Sequence, residues 1–242
     1  MKNSIGSLIM GIAIIITALI LGNAWTQGKK RAETVYVTGS ASTDFTSDLI
    51  VWRASFSERS FNTKDAFAAL KKDAANIRKY LVSKGVKESE IVFSSIDIQK
   101  NFRTEMLNQH MSTQVFDGYT LVQNISIESK EVDKIEKISR EITELIEQDI
   151  ELYSQTPEYY YTKLSELKIE MVAKATADGK LRADKIAENA GSSVANLTSA
   201  NLGIFQITGQ NTNEDYSYGG AFNTWSKDKT ASITVRLEFE VE

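Results

Sequence analysis

Between Val172 and Ala190 the chain repeats mostly small residues at the spacing of a helix. Val172, Ala175, Gly179, Ala183, Ile186 and Ala190 follow one another in steps of three or four. A helix with so little relief along one stripe is suited to backbone-close packing on a sheet or another helix. Lys174, Lys180, Arg182, Asp184, Lys185 and Glu188 fall mainly off the stripe. The segment therefore reads as a packing helix with its charges turned to water, starting near Ser165 as a cap and closed by Gly191. A catalytic Lys or Asp there would need burial to shift its pKa, and this pattern does not bury them.

The surface for that helix to pack on comes from the segments around it. "ETVYVTGSAST" and "DLIVWRASFSERS" read as strands, rich in β-branched and aromatic residues. "TKDAFAALKKDAANIRKYLVSKG" reads as a helix, with Phe67, Leu70, Ala74, Ile77 and Leu81 as its apolar stripe. Asn62 or Thr63 can cap it, and Gly85 can end it. "SEIVFSSIDIQKNF" and "DGYTLVQNISIES" read as two strands joined by the loop "RTEMLNQHMSTQVF". A second helix carries Val132, Ile135, Ile138, Ile142 and Leu145 on one side, and a short strand runs from Tyr159 to Leu164. "LTSANLGIFQI" and "TASITVRLEFEVE" end the chain as strands. In the last, Ile233, Val235, Leu237, Phe239 and Val241 alternate with Thr234, Arg236, Glu238 and Glu240, so one face is buried and one is wet. The expected fold is α+β: a mostly antiparallel sheet of about seven strands, helices on one face, in two strand–helix–strand–strand units.

Ahead of this domain, Asn3–Gly28 carries no charge, and Ile5–Ala24 supplies about 20 apolar or small residues, enough for a helix to cross a bilayer. Trp25 then falls at headgroup level. The small-x-small pair Gly22 and Ala24 leaves open a cleaved signal, but the apolar run exceeds a usual signal core and favours an anchor. Residues 1–28 are thus the anchor or signal segment and residues 33–242 the domain. Lys29, Lys30 and Arg31 outnumber Lys2, which by charge alone slightly favours a cytoplasmic domain.

Composition narrows the chemistry. With no cysteine, thiolate metal sites, cysteine nucleophiles and disulfides are impossible, and the single histidine, His110, precludes a His-rich metal centre. A net charge of −4 without a basic stripe argues against nucleic acid.

"YYYTKLSELKIEMVAKATADGKLRADKIAENAGSSVANLTSANLGIFQI" resembles the C-terminal core of the SIMPL-domain family, once called a domain of unknown function. "VYVTGSAST" resembles that family's first strand and "GVKESEIVFSSIDIQKNF…DGYTLVQNISIES" its middle hairpin, so the likeness covers roughly Glu33–Glu242. It implies an α+β domain exported to the periplasm or cell surface, with oligomeric, sometimes ring- or channel-like assembly. Members are linked to oxidative-stress defence, and the family's name comes from a kinase-associated signalling protein. The resemblance brings no agreed catalytic residues and none are carried over. It tips the orientation towards an extracytoplasmic domain.

Among candidate sites, the long polar segment Thr208–Lys229 stands out, because Tyr216, Tyr218, Phe222 and Trp225 sit among its glycines and asparagines as they do in binding loops. His110 with Glu105 and Asp117 reads as a solvated loop rather than a metal site. Tyr159–Tyr161 reads as packing rather than a stacking platform, and Asp44 and Asp48 as caps rather than an acid–base pair. No catalytic, cofactor or metal residue is expected. The sequence reads as a non-enzymatic, self-assembling envelope protein, possible stress defence included, with an extracytoplasmic glycan or peptide sensor as the alternative. A hydrolase would need two buried carboxylates facing one cleft.

Overall fold

The computed structural model describes residues 10–22, 33–108 and 111–242. Residues 10–22 form helix α1, whose side chains are all exposed. It is the described part of the expected anchor. Its flanks, Trp25 included, lie outside the described residues, as does His110. Among the described residues no helix is long and apolar enough to cross a membrane.

The order that follows is β1 (Thr34–Thr46), β2 (Leu49–Ser60), α2 (Thr63–Ser83), β3 (Ile91–Asn108), β4 (Met111–Ser129), α3 (Val132–Glu141), β5 (Leu152–Ser154), β6 (Glu158–Tyr160), α4 (Leu164–Ala190), β7 (Val194–Leu202), β8 (Gln206–Gly209) and β9 (Asp228–Val241). The α+β class holds, but the strands form two antiparallel sheets, not one of about seven. One has the order β1-β9-β7 with β8 also on β9; the other has β3-β4-β2-β5 with β6 also on β2. Alternation in a sequence says that a strand exists and which face it buries; it does not say which strand it pairs with.

By internal contacts the chain divides into two compact units. One comprises Ser42–Met171 and Ile204–Ile233. Its core is made by Ile50, Trp52, Ala54 and Phe56 of β2, Leu121, Ile125 and Ile127 of β4, and the stripes of α2 and α3. In α3 and the 3₁₀ turn after it, Val132, Ile135, Ile138, Ile142 and Leu145 are all buried, as their spacing requires. In α2 the stripe is Ala66, Leu70, Ile77 and Leu81, and Phe67 is exposed instead of buried. Both Ala66 and Phe67 fit the 3.6-residue period to within a step, and the smaller one faces the sheet. Asn62 caps α2 by accepting the Lys64 N–H at 2.9 Å, and Gly85 ends it at φ +89°. β6 is shorter than the expected strand, and α4 starts at Leu164, so Ser165 lies inside the helix and does not cap it. The turn before α4 is held from outside, with Asp48 accepting the Thr162 N–H at 2.7 Å and its hydroxyl at 2.6 Å.

The other unit comprises Met1–Ala41, Val172–Gly203 and Thr234–Glu242. Here β9 sits between β1 and β7, burying Val235, Leu237 and Phe239 while Thr234 and Arg236 stay exposed. Ala175, Gly179, Ala183 and Ala187 form the buried stripe of α4. Ile186 and Ala190, expected on it, are exposed, because the buried line runs in uniform steps of four. The stripe does what small residues permit. A Cβ on Gly39 of β1 would lie 2.0 Å from the Ala175 carbonyl oxygen and 2.5 Å from the Gly179 nitrogen, so strand and helix touch backbone to backbone. That closeness lets Asp178 accept the Ser40 N–H at 2.8 Å while also accepting from Arg182 Nε at 2.9 Å. These two donors hold the Asp178 carboxyl below its ordinary range. The strand expected at 197–207 is broken at Gly203, whose N–H bonds to Thr234 O at 2.8 Å, giving β7 and β8.

Candidate functional site

The segment between β8 and β9 is held by three polar side chains, Gln206, Glu214 and Asn223, of which Gln206 and Asn223 are buried. Gln206 lies at the start of β8, and its amide clamps the far side of the loop. Nε2 donates to Ser217 O at 2.9 Å, and Oε1 accepts from Ala221 N at 2.6 Å and Ser217 N at 3.3 Å. Glu214 accepts the Gly209 N–H at 3.0 Å with one oxygen and the Asn223 side-chain amide with the other. Asn223 returns the chain towards β9: its N–H bonds to Ile207 O at 2.9 Å, and its side-chain oxygen accepts from Ser226 N at 2.8 Å. A lone parallel bridge between Ile207 and Phe222 completes the frame. Such a network of satisfied polar groups holds the loop backbone at several points.

On this frame the aromatic side chains point outward. Tyr218 is 99% exposed, and Tyr216, Trp225 and Phe222 are 69%, 64% and 54% exposed. Tyr216 reaches Ser232 Oγ at 3.3 Å, and among the described residues no ring contact joins these four side chains. Beneath them, Lys229 of β9 is 2% exposed and donates to Ser226 O. Burial brings its pKa down to about 8, Glu214 opposing.

The other expected site residues are dispersed. Tyr159 is buried in the core, Tyr160 donates to Glu158 at 3.0 Å, and Tyr161 packs on Phe45 with ring centroids 4.8 Å apart. Asp44 accepts from Thr230 and Gln210, at 2.6 and 3.0 Å. Among the described residues no group of three or more His, Asp or Glu is placed to hold a metal.

Two arrangements were not anticipated. Glu58 of β2 has its pKa raised, first by burial and then by its hydrogen bond and charge interaction with Asp73 of α2. More extensive is the β3–β4 hairpin. The segment 103–116, expected as a loop, is strand on both sides of the tip. β2 pairs with β4 only as far as Ser60↔Tyr119, and β3 and β4 run on together through Phe102↔Phe116 and Met106↔Ser112 as a two-stranded ribbon. Arg59 secures its base by donating to Asp117 O at 2.7 Å and to the Asp117 carboxylate. One side of it carries open apolar residues among Thr104, Ser112 and Gln114. Phe116 makes edge-on contacts with Phe61, Phe102 and Tyr119 at 6.2, 6.1 and 5.1 Å, yet Phe61 and Phe102 remain 71% and 56% exposed and Met106 80%. Exposed apolar patches commonly mark contact sites.

No curated protein matches the chain. A family model described as SIMPL, protein of unknown function (DUF541), matches residues 35–241, which takes in parts of both compact units, the ribbon and the aromatic loop, and by that match the chain belongs to the SIMPL family.

Proposed function

We propose that this is a non-enzymatic protein of the cell envelope that acts by self-assembly and by contacts with protein partners, in defence against oxidative or envelope stress. The observation that carries the assembly is the ribbon, which holds Phe102 and Met106 out in solvent beside the exposed Phe61, on a base tied by Arg59 and Asp117. Residues 5–24 serve as the membrane anchor and the SIMPL domain lies outside the cytoplasm. The uncharged apolar run, the helix over residues 10–22 and the family resemblance support that placement. Light scattering on the full chain in detergent, at micromolar concentration, tests the reading. A multimer is expected; a strictly monomeric protein would overturn it.

The second reading is a sensor that takes a glycan or peptide on the aromatic loop. It is favoured by a fixed backbone carrying four exposed rings, since a preorganised loop spends little ordering entropy on binding. Trp225→Ala and Tyr218→Ala are then expected to abolish binding while leaving the melting temperature unchanged. A glycan and peptide thermal-shift screen without a hit removes this reading.

A further inference from the structure

We propose that two copies of the chain join edge to edge through β3, antiparallel about a two-fold axis at Thr104. This rests on the self-assembly reading and names the surface that performs it. β3 is the outermost strand of its sheet, so among the described residues one row of its backbone N–H and C=O groups has no strand partner. Such an edge is a template for another strand, and soluble proteins normally blunt it with bulges, proline or inward charges. In β3 the pairing with β4 is irregular between Lys100 and Phe102 and again between Met106 and Asn108. The run Phe102–Met106 between them is regular, and Thr104 is its centre.

The residues of that run complement their own reverse. Phe102, Thr104 and Met106 share one face, and Arg103 and Glu105 share the other. Placed antiparallel about Thr104, Phe102 meets Met106 of the second copy and Arg103 meets its Glu105, each pair occurring twice. Within one chain Arg103 and Glu105 make only a long contact, 3.9 Å, with both side chains more than half exposed. Across the axis they become directly opposed unlike charges, the arrangement that stabilises neighbouring strands. On the other face the apolar row then runs from Phe116 through Phe102 to the second copy's Met106, covering rings that are now open. A parallel or shifted pairing sets Arg103 against Thr104 or against a second arginine and loses both matches. Five residues a side bury less than the roughly 1,000 Å² of a stable interface, so the contact needs the high local concentration that anchoring or other contacts supply.

The absence of cysteine makes the test direct. Thr104→Cys introduces a single thiol, and opposed positions on antiparallel strands bring Cβ atoms within about 4.5–5.5 Å, near disulfide range. In the full chain in detergent under mild oxidation, this variant is expected to form a disulfide dimer at least about tenfold faster than Lys180→Cys, an exposed control on α4. Adding Arg103→Glu or Glu105→Arg to Thr104→Cys slows cross-linking several-fold, and the double swap restores it. Circular dichroism verifies that each variant folds. If light scattering shows a multimer but Thr104→Cys reacts no faster than the control, or the double swap fails to restore the rate, the β3 pairing is overturned while self-assembly stands. A chain that stays monomeric throughout removes both. A disulfide adduct with a different protein in cells assigns the edge to that protein and likewise overturns the pairing.

Discussion

The contact between Gly39 and α4 sets a sharp test of how this family uses small residues. A methyl group at Gly39 would sit 2.0 Å from Ala175 O, 2.5 Å from Gly179 N and 2.8 Å from Gly179 Cα. Ordinary contact begins at 3.4 Å, so strand and helix would have to separate by about 1.4 Å, and all three atoms in the way are backbone. A gap of that size forfeits roughly half or more of the dispersion energy along the seam where Ala175 and Ala183 are buried. It also stretches the 2.8 Å bond from Ser40 N–H to Asp178. Alanine restricts the unfolded chain relative to glycine, which returns about 0.5–1 kcal/mol. The net expectation for Gly39→Ala is a loss of about 3 kcal/mol, at the upper end of overpacking changes. Gly179→Ala is the control from the other side of the same contact. Its Cβ meets first the mobile end of Leu237 at 2.6 Å, then Gly39 N and Cα at 3.2 and 3.3 Å, and it gains about 1 kcal/mol of helix propensity. It should cost about 1 kcal/mol or less. Urea unfolding followed by far-ultraviolet circular dichroism, with amide exchange on β1 and α4, reads both. The reasoning is refuted if Gly39→Ala falls within about 0.5 kcal/mol of the parent, or if Gly179→Ala is the more damaging of the two.

Lys229 gives a pH prediction. Its folded pKa of about 8 lies below the ordinary 10.5, so between those values the unfolded chain holds the extra proton and stability rises with pH; below pH 8 the full desolvation penalty is present. Lys229→Met should be more stable than the parent at pH 7, with that advantage shrinking through pH 10, and urea midpoints that stay parallel across the range would contradict it. Ser47 gives a smaller one. Its hydroxyl is buried with no hydrogen-bond partner, the one such side-chain atom among the described residues, so Ser47→Ala should raise stability by up to about 1 kcal/mol. A lower melting temperature for that variant would show that the hydroxyl is partnered after all.

What could be read in the sequence was what periodicity encodes. α3 and β9 bury the residues their spacing selects, and the small stripe of α4 does meet a backbone. Errors of one position, Phe67 for Ala66 and Ile186 for Ala187, arise where two adjacent residues fit the period equally and packing decides between them. The ribbon left no such signal. With β2 absent beyond Ser60, residues 103–106 and 112–115 have no buried face, so Arg103, Thr104 and Glu105 and then Ser112, Thr113 and Gln114 are polar in succession and the stretch looks like a loop. Its strands are held by the ladder to one another, which depends on pairing rather than on composition.

Long-range polar contacts were likewise invisible, with one exception that could have been seen. Gln206, Glu214 and Asn223 carry no pattern announcing that they clamp a loop, so the segment after Ile207 reads as polar and loose although they tie its backbone at Gly209, Ser217, Ala221 and Ser226. Lys229 is different. The alternation that buries Phe239, Leu237, Val235 and Ile233 continues backwards in steps of two through Ala231 to Lys229, which places a lysine on the inner face of β9 from sequence alone. An ammonium in that phase has two outcomes: the strand bulges to release it, or the loop above supplies an acceptor. β9 is regular from Lys229 through Ala231, and Ser226 O accepts from the ammonium. The loop that displays the aromatic rings is thus also the loop that satisfies the buried lysine. Lys229→Met, by removing that demand, should leave Gln206, Glu214 and Asn223 to fix the loop by themselves; amide exchange at Ser217 and Ala221 unchanged from the parent would bear that out, and exchange accelerated at both would show that the lysine, and not the three polar clamps, sets the loop's shape.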